Sequence, residues 1–519
     1  MYKKKVTWWV SAAWVLLLLT LTGCQSVQGV DLAAAIQQSS AATSSESAGS
    51  LQIELVPGDT SQLSAVEQQA LSALHKVTIE LANVKTESTQ KLSADGTITY
   101  GKGTIPFQIA VDGTKLIWQV EGGKKPVVID LLGSSNASFT KLLPAALQEQ
   151  IGSKAAEIKP AVIGFILANM PNPPSIAVSS VTEKVGGADL SLQKVHMELT
   201  GTELASLLDR LLSGILADEA GLQELISQLY DAMYPIIQEE IASGSADFTL
   251  KLLGNKPLAV GFIYQPVHDY LAKAAESLAA VISGDGEQGV LPVHAMFGSK
   301  SALAADFYVD GDHGVRKQSL ALSMPMPDTG TGVAGLKLNF VSETWNVNKP
   351  VKADSIDISG GFVPVGVDAS TVYRVLGNLD RHSLIYTLLR EDAKIARKEV
   401  HLQLNESGDP AASDTPQPFI NGDSKTMVPV RFISEKLGAE VGWNADTKEV
   451  TILDLLSGRI IVLKLDRRTA SVDGASIELE SAATLVNGST FVPIRFIAES
   501  LGGVVSFDDD TRVVTIKRD

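Results

Sequence analysis

Val428-Pro429-Val430-Arg431-Phe432-Ile433 recurs as Val492-Pro493-Ile494-Arg495-Phe496-Ile497. The register then holds without a gap. Leu437-Gly438 matches Leu501-Gly502, Trp443 matches Phe507, Asp446-Thr447 matches Asp510-Thr511, and Val450-Thr451-Ile452 matches Val514-Thr515-Ile516. Every pair is 64 residues apart. Self-similarity at a fixed offset marks one structural unit present twice.

Each copy reads the same way. Pro429 and Pro493 suit the first turn of a helix, where a missing N–H costs nothing. Phe432, Ile433 and Leu437 follow at helical spacing. Gly438 and Gly502 suit the left-handed residue that ends a helix. A short strand follows, through Trp443 or Phe507, then turn chemistry, then a second strand at Glu449–Leu453 or Val513–Lys517. Asn421-Gly422 and Asn487-Gly488 mark a tight turn ahead of each helix. The expectation is a strand pair, a short helix and a hairpin in each copy. Neither copy is long enough to bury a core alone, so 398–519 is expected to fold as one unit. Arg459–Leu465 and Thr469–Leu479 should form a connecting hairpin around Asp473-Gly474, with Phe432 and Phe496 inside a common core.

This pattern resembles the copper amine oxidase N-terminal domain, also called the stalk domain. The resemblance implies a small α+β accessory module with no copper and no catalytic residue. Amine oxidase chemistry in that family uses an Asn-Tyr-Asp/Glu tyrosine beside copper held by three histidines. None of the nine tyrosines here follows an asparagine, and the seven histidines are scattered with no His-x-His pair. Arg431 and Arg495 each have a glutamate four residues on, Glu435 and Glu499. That spacing gives a helix-surface ion pair, a reading preferred here to an anion or glycan contact. Asp508-Asp509-Asp510 reads as a solvated turn.

The N-terminus sets the compartment. Lys3, Lys4 and Lys5 precede an apolar stretch, Val6 to Leu21, that ends in Leu21-Thr22-Gly23-Cys24. A charged start, a short apolar core and small residues make a secretory signal. The ending resembles a bacterial lipobox, which implies removal of 1–23 and acylation of Cys24. The expected location is the outer face of the bacterial cytoplasmic membrane, with the membrane as a partner through the anchor. Cys24 is the only cysteine, so the mature fold has no internal disulfide and no thiolate metal site. Residues 24–50 are rich in Ser, Ala, Gln and Gly and read as a flexible tether.

Formal net charge is −16. Such a chain is repelled by phosphates, so nucleic acid is not expected as a partner.

Residues 51–350 read as an α+β domain of antiparallel hairpins with packed helices. Strands are expected at Val77–Val84, Thr97–Val111, Lys115–Val120, Pro126–Leu131, Leu192–Leu199, Asp247–Leu253, Leu258–Tyr264, Leu291–Phe297, Ala302–Val309, Val315–Met324 and Gly335–Val341. Asp95-Gly96 and Asp112-Gly113 are read as hairpin turns. Thr200-Gly201-Thr202-Glu203 resembles a capping box opening a helix through Leu204, Leu207, Leu208, Leu211 and Ile215. A second helix follows from Leu222, and a third covers His268–Ser283. The order of elements resembles that of curved-sheet lipoprotein carriers, in which helices cap an apolar groove. Residues 351–397 read as a connecting, partly helical segment. Gly96 to Lys102 has P-loop spacing, but Gly103 stands where magnesium needs a hydroxyl. Asp310-Gly311-Asp312-His313-Gly314 lacks the later glutamate of a calcium loop.

Together these readings point to a non-enzymatic, lipid-anchored envelope protein without a cofactor. Its repeats would bind wall polymer or a protein partner. The alternative is a carrier of lipid or another hydrophobic ligand in the middle domain.

Overall fold

The computed structural model describes residues 29–131, 145–242, 251–283, 293–327, 330–366, 370–404, 417–508 and 511–518. The chain is α+β, with helices and several antiparallel sheets, and divides into two units. The first comprises 1–118 and 130–356; the second comprises 119–129 and 357–519. Among the described residues, no helix is long and apolar enough to cross a membrane.

The first unit opens with α1 (Leu32–Ser40), capped by the Asp31 carboxylate on the Ala34 N–H at 2.9 Å. Strand β1 (Ser45–Pro57) follows. These two elements correct the tether expected over 24–50 from residue 29 onward; 24–28 lie outside the described residues. Val30, Leu32 and Ala35 are buried, and β1 lies between two other strands, so serine-rich sequence is held by neighbours on both edges. Next come α2 (Ala65–Leu74), β2 (Lys76–Ser88), β3 (Lys91–Tyr100), β4 (Gly103–Asp112) and β5 (Lys115–Val120). β6 (Val127–Asp130) belongs, but for its last residue, to the second unit. Helix α3 (Ala145–Ala168) leads to the hairpin β7 (Ile176–Val185) and β8 (Ala188–Thr200). Three helices then intervene: α4 (Gly201–Ala217), α5 (Glu219–Ala242) and α6 (Lys256–Ser283). β9 (Ala302–Val309), β10 (Val315–Pro325) and β11 (Val333–Trp345) complete an antiparallel sheet ordered β5-β4-β3-β2-β1-β11-β10-β9-β8-β7.

The expected capping box is formed: Thr200 Oγ1 accepts from the Glu203 N–H, and Glu203 accepts from the Thr200 N–H. The strand expected at Leu258–Tyr264 is instead helical, in α6; of the one expected at Leu291–Phe297, residues 291–292 lie outside the described residues and Val293–Phe297 form a 3-10 turn. In α6, Ala259 is buried while Leu258 and Phe262, four apart, are exposed. That is helical periodicity, hidden in sequence by a run that is apolar throughout. Of the strand expected at 247–253, residues 247–250 lie outside the described residues, and Lys251 and Leu252 are helical. Asp95-Gly96 is not a turn but lies within β3. The Phe107 ring occupies the space a side chain at Gly96 would need. Gly113 does turn the β4–β5 hairpin, at φ +61°.

The second unit contains β6, paired in parallel with β12 (Val363–Val365). It also contains α7 (Thr371–Gly377), a helical turn at Leu384–Tyr386 continuing into a π-turn at Thr387–Asp392, and β13 (Lys398–Gln403). The segment 351–397 is thus partly helical, as expected, but from Asp357 onward it is part of this unit rather than a connector.

The first repeat is β14 (Phe419–Ile420), β15 (Thr426–Pro429), α8 (Val430–Lys436), β16 (Ala439–Asn444) and β17 (Glu449–Asp454). β18 (Ile460–Lys464), β19 (Thr469–Val472) and β20 (Ala475–Glu478) connect the copies, with the expected turn at Asp473-Gly474. The second repeat is β21 (Thr484–Val486), β22 (Ser489–Pro493), α9 (Ile494–Ser500), β23 (Gly503–Asp508) and β24 (Val513–Arg518).

β15 and β22 pair antiparallel with Val428 opposite Val492, equivalent residues of the two copies. Antiparallel pairing of equivalent positions places a local two-fold axis between them. One core cluster takes Val428, Ile433, Leu437 and Ile452 from the first copy and Val492, Ile497, Leu501 and Ile516 from the second.

Candidate functional site

The repeat residues singled out from sequence occupy three environments. Pro429 and Pro493 end β15 and β22 and stand at the helix N-caps, one position before the first helical residue. Gly438 and Gly502 end the helices at φ +89° and +76°, a region that penalises any residue with a Cβ. The Tyr373 ring is packed on Gly438, so close that an added Cβ would lie about 2.5 Å from it. Tyr373 donates to the Ala396 carbonyl at 3.1 Å, and burial pushes its phenol up to about 12.

The aromatic residues are the main correction. Phe432 is 45% exposed and does not sit in the shared core. The buried face of α8 runs through Val430, Ile433 and Ser434 to Leu437, and Phe432 falls on the opposite side, with the Lys436 ammonium 5.2 Å above its ring. Phe496 is half-buried against the core. Trp443 and Phe507, at equivalent positions in β16 and β23, are 45% and 48% exposed.

Arg431 and Arg495 make the expected ion pairs with Glu435 (3.4 Å) and Glu499 (4.0 Å). Arg431 has a second role not legible in sequence: its Nη1 donates to the Val441 carbonyl of β16 at 3.0 Å. The structure therefore does not gather these residues into one pocket. It sets exposed aromatic and cationic side chains on a two-fold-related scaffold. Cys24, and Asp509 and Asp510, lie outside the described residues.

The sequence reading missed the buried polar centre of this unit. Arg518 and Asp454 are both nearly inaccessible and joined by two bonds of 2.8 Å. Arg518 also donates to the Leu437 carbonyl, and its guanidinium lies 5.6 Å from the Tyr373 ring centre.

In the first unit the sheet carries one continuous apolar face. Ile53 and Leu51 on β1 stand opposite Leu338 and Phe340 on β11, which stand opposite Leu322 and Leu320 on β10. The row continues through Leu303 and Ala305 to Leu199 and Met197 on β8. In the other direction it passes Val77 and Ile79, then Ile98, then Ile105. Directly opposed residues share a face, so this is one stripe across the sheet. Leu32 and Ala35 of α1, Leu204, Leu207 and Leu208 of α4, and the end of α6 cover it over β8–β10. Over β1, β2 and β3 its side chains Leu51, Ile53, Val77, Ile79 and Ile98 are half-buried.

The opposite face is polar. Asp306 accepts from His196 (2.7 Å), Lys194 (3.1 Å) and Ser319 (3.0 Å). Burial pushes its carboxyl up, but these hydrogen bonds outweigh that and hold it below the usual carboxylate range. Among the described residues, no group of three or more His, Cys, Asp or Glu is placed to hold a metal ion.

The chain is 32% identical over 97 residues to a protein from Brevibacillus choshinensis described as a protease inhibitor. That match takes in 18% of this chain and 29% of the relative, so the chain spans under a third of the relative's length. Residues 408–516, both repeats with the strands between them, match the family model of the copper amine oxidase N-terminal domain.

Proposed function

We propose that this is a non-catalytic protein, anchored by acylated Cys24 to the outer face of the cytoplasmic membrane, whose repeats serve as an accessory or binding module. One observation carries the reading. The region with a family match is the accessory domain alone, and it directs Phe432, Trp443 and Phe507 to solvent instead of into its core. Exposed aromatic residues on a rigid scaffold suit a binding surface. The partner is wall polymer or a protein, and the relative described as a protease inhibitor favours a protein. The absence of an Asn-Tyr motif in the sequence supports a role outside amine oxidation.

The test compares the parent chain with a Phe432→Ala, Trp443→Ala, Phe507→Ala variant. Both are assayed for retention on purified cell-wall sacculi and for inhibition of a panel of secreted bacterial proteases. The reading expects one of the two activities in the parent and its loss in the variant, at unchanged melting temperature. Neither activity, or an unaffected variant, would sink it. Fatty-acid labelling of the parent and of Cys24→Ala tests the anchor separately: label should enter the first and not the second.

A second reading, a carrier of a hydrophobic ligand, draws on the half-buried apolar row over β1–β3. Mass spectrometry of small molecules released from the purified chain tests it. A bound lipid in the parent, lost in Ile79→Asp, is the expected outcome.

A further inference from the structure

The duplication provides an internal comparison of two sheet edges. β16 and β23 are equivalent, and each is the outermost strand of its sheet. On β16 the edge is guarded. Arg431 caps the Val441 carbonyl at 3.0 Å, and Glu440 adds a charge, both common devices against edge-to-edge pairing. β23 has neither. Arg495 stays beside Glu499, and among the described residues it makes no bond to Val505, the equivalent of Val441. Val504 replaces Glu440 and is 71% exposed, and Gly503 to Phe507 contains no charged residue.

We propose that β23 pairs antiparallel with β23 of a second copy of this chain, fusing two three-stranded β13-β24-β23 sheets across a two-fold axis. The register follows from the pleat. Opposed side chains must lie on the same face, so the axis passes through a residue and not between two. Centred on Val505, the pairing sets Val504 opposite Ser506 of the second copy, and Gly503 opposite Phe507. No like charges meet: Asp508 of each copy falls opposite Gly502 of the other. Centring on Ser506 would instead run Asp508 against exposed Val504. One short strand per copy buries much less than the roughly 1,000 Å² of a stable interface, so the dimer is weak. The net charge of −16 opposes it at long range, and added salt strengthens it.

The test uses two full-length chains, one carrying Val504→Cys and one carrying Ser506→Cys, mixed and oxidised. Opposed Cα atoms in an antiparallel pair are about 4.5–5.5 Å apart, within disulfide range. The parent chain, with Cys24 alone, sets the background. The expected result is covalent dimer in the mixture, with each chain alone at background. A Glu440→Cys and Gly442→Cys mixture, at the equivalent positions on β16, should also stay at background. Both β23 positions are exposed, and unchanged melting confirms folding. A β23 mixture at background overturns the proposal. So does equal trapping on β16, or sedimentation of the unmodified chain as a monomer at every concentration and salt level.

Discussion

Arg518 grips Asp454 through two hydrogen bonds of 2.8 Å, and the two residues hold the same position in successive repeats, 64 residues apart. The duplicated site became asymmetric, one copy acidic and the other basic, and the local two-fold brings the pair together. Asp454 is further tied to Ser457 and to the Leu456 N–H. Removing one partner leaves an uncompensated buried charge. Arg518→Met or Asp454→Leu should each cost about 3–5 kcal/mol, and the double substitution less than either. Exchange of the two, Asp454→Arg with Arg518→Asp, should recover part of the loss. Urea unfolding of the second unit reads all four. A double variant as unstable as the sum of the singles would mean that the pair does not act as a pair.

Gly438 and Gly502 separate backbone strain from crowding. Both hold positive φ, so alanine at either strains the backbone by roughly 1 kcal/mol. A Cβ at Gly502 meets nothing within 4 Å, whereas one at Gly438 runs into Tyr373. Gly438→Ala should therefore lose a further 1–3 kcal/mol or so from overpacking. Equal melting shifts for the two variants would contradict that contact.

Asp306 links the first unit to acid. Its folded pKa lies below its ordinary value of 3.8, so its contribution is fully present above that value and is lost as pH falls through the folded pKa. Asp306→Asn should lower stability at neutral pH and flatten the loss below about pH 4. The check is melting temperature against pH for parent and variant. Parallel curves would show that another group sets the acid limb.

The repeats were legible because their period is a property of sequence alone, and the helix stops at Gly438 and Gly502 follow from a conformation glycine adopts without penalty. The helix face was not legible. In a seven-residue helix the expected face Phe432-Ile433-Leu437 and the observed one Val430-Ile433-Leu437 share two residues, and contacts decide between them. The ordered stretch Ser45–Ser50 was hidden for a similar reason: a serine-rich strand gains its place from the strands on either side. Arg518 and Asp454 sit at the repeat offset, so the signal for their pairing existed, but aligned positions of opposite charge do not announce contact. The exposed aromatic residues show the limit most plainly, since sequence alone assigns a phenylalanine to the core by default.

The two copies hold together by exchanging strands. Each hairpin is completed by a strand lying ahead of its neighbour's repeat. β18, between the copies, pairs with β17, and β13, ahead of both, pairs with β24 at the far end. The registers correspond: Ile461 faces Ile452 as Val400 faces Ile516. The second repeat is thus finished by a strand from before the first, which closes the unit on itself. With Val428 on Val492 and a common core, neither copy has a stable state of its own. Ile433→Ala and Ile497→Ala should each cost about 2–5 kcal/mol and lower the same single transition of this unit. Phe432→Ala, at an exposed site, should cost well under either. Removing 398–403 should destabilise the whole unit, although those residues lie outside the matched 408–516. Calorimetry of the full chain reads each variant. A second-unit transition that splits in two, with Ile433→Ala moving one part and Ile497→Ala the other, would establish independent repeats.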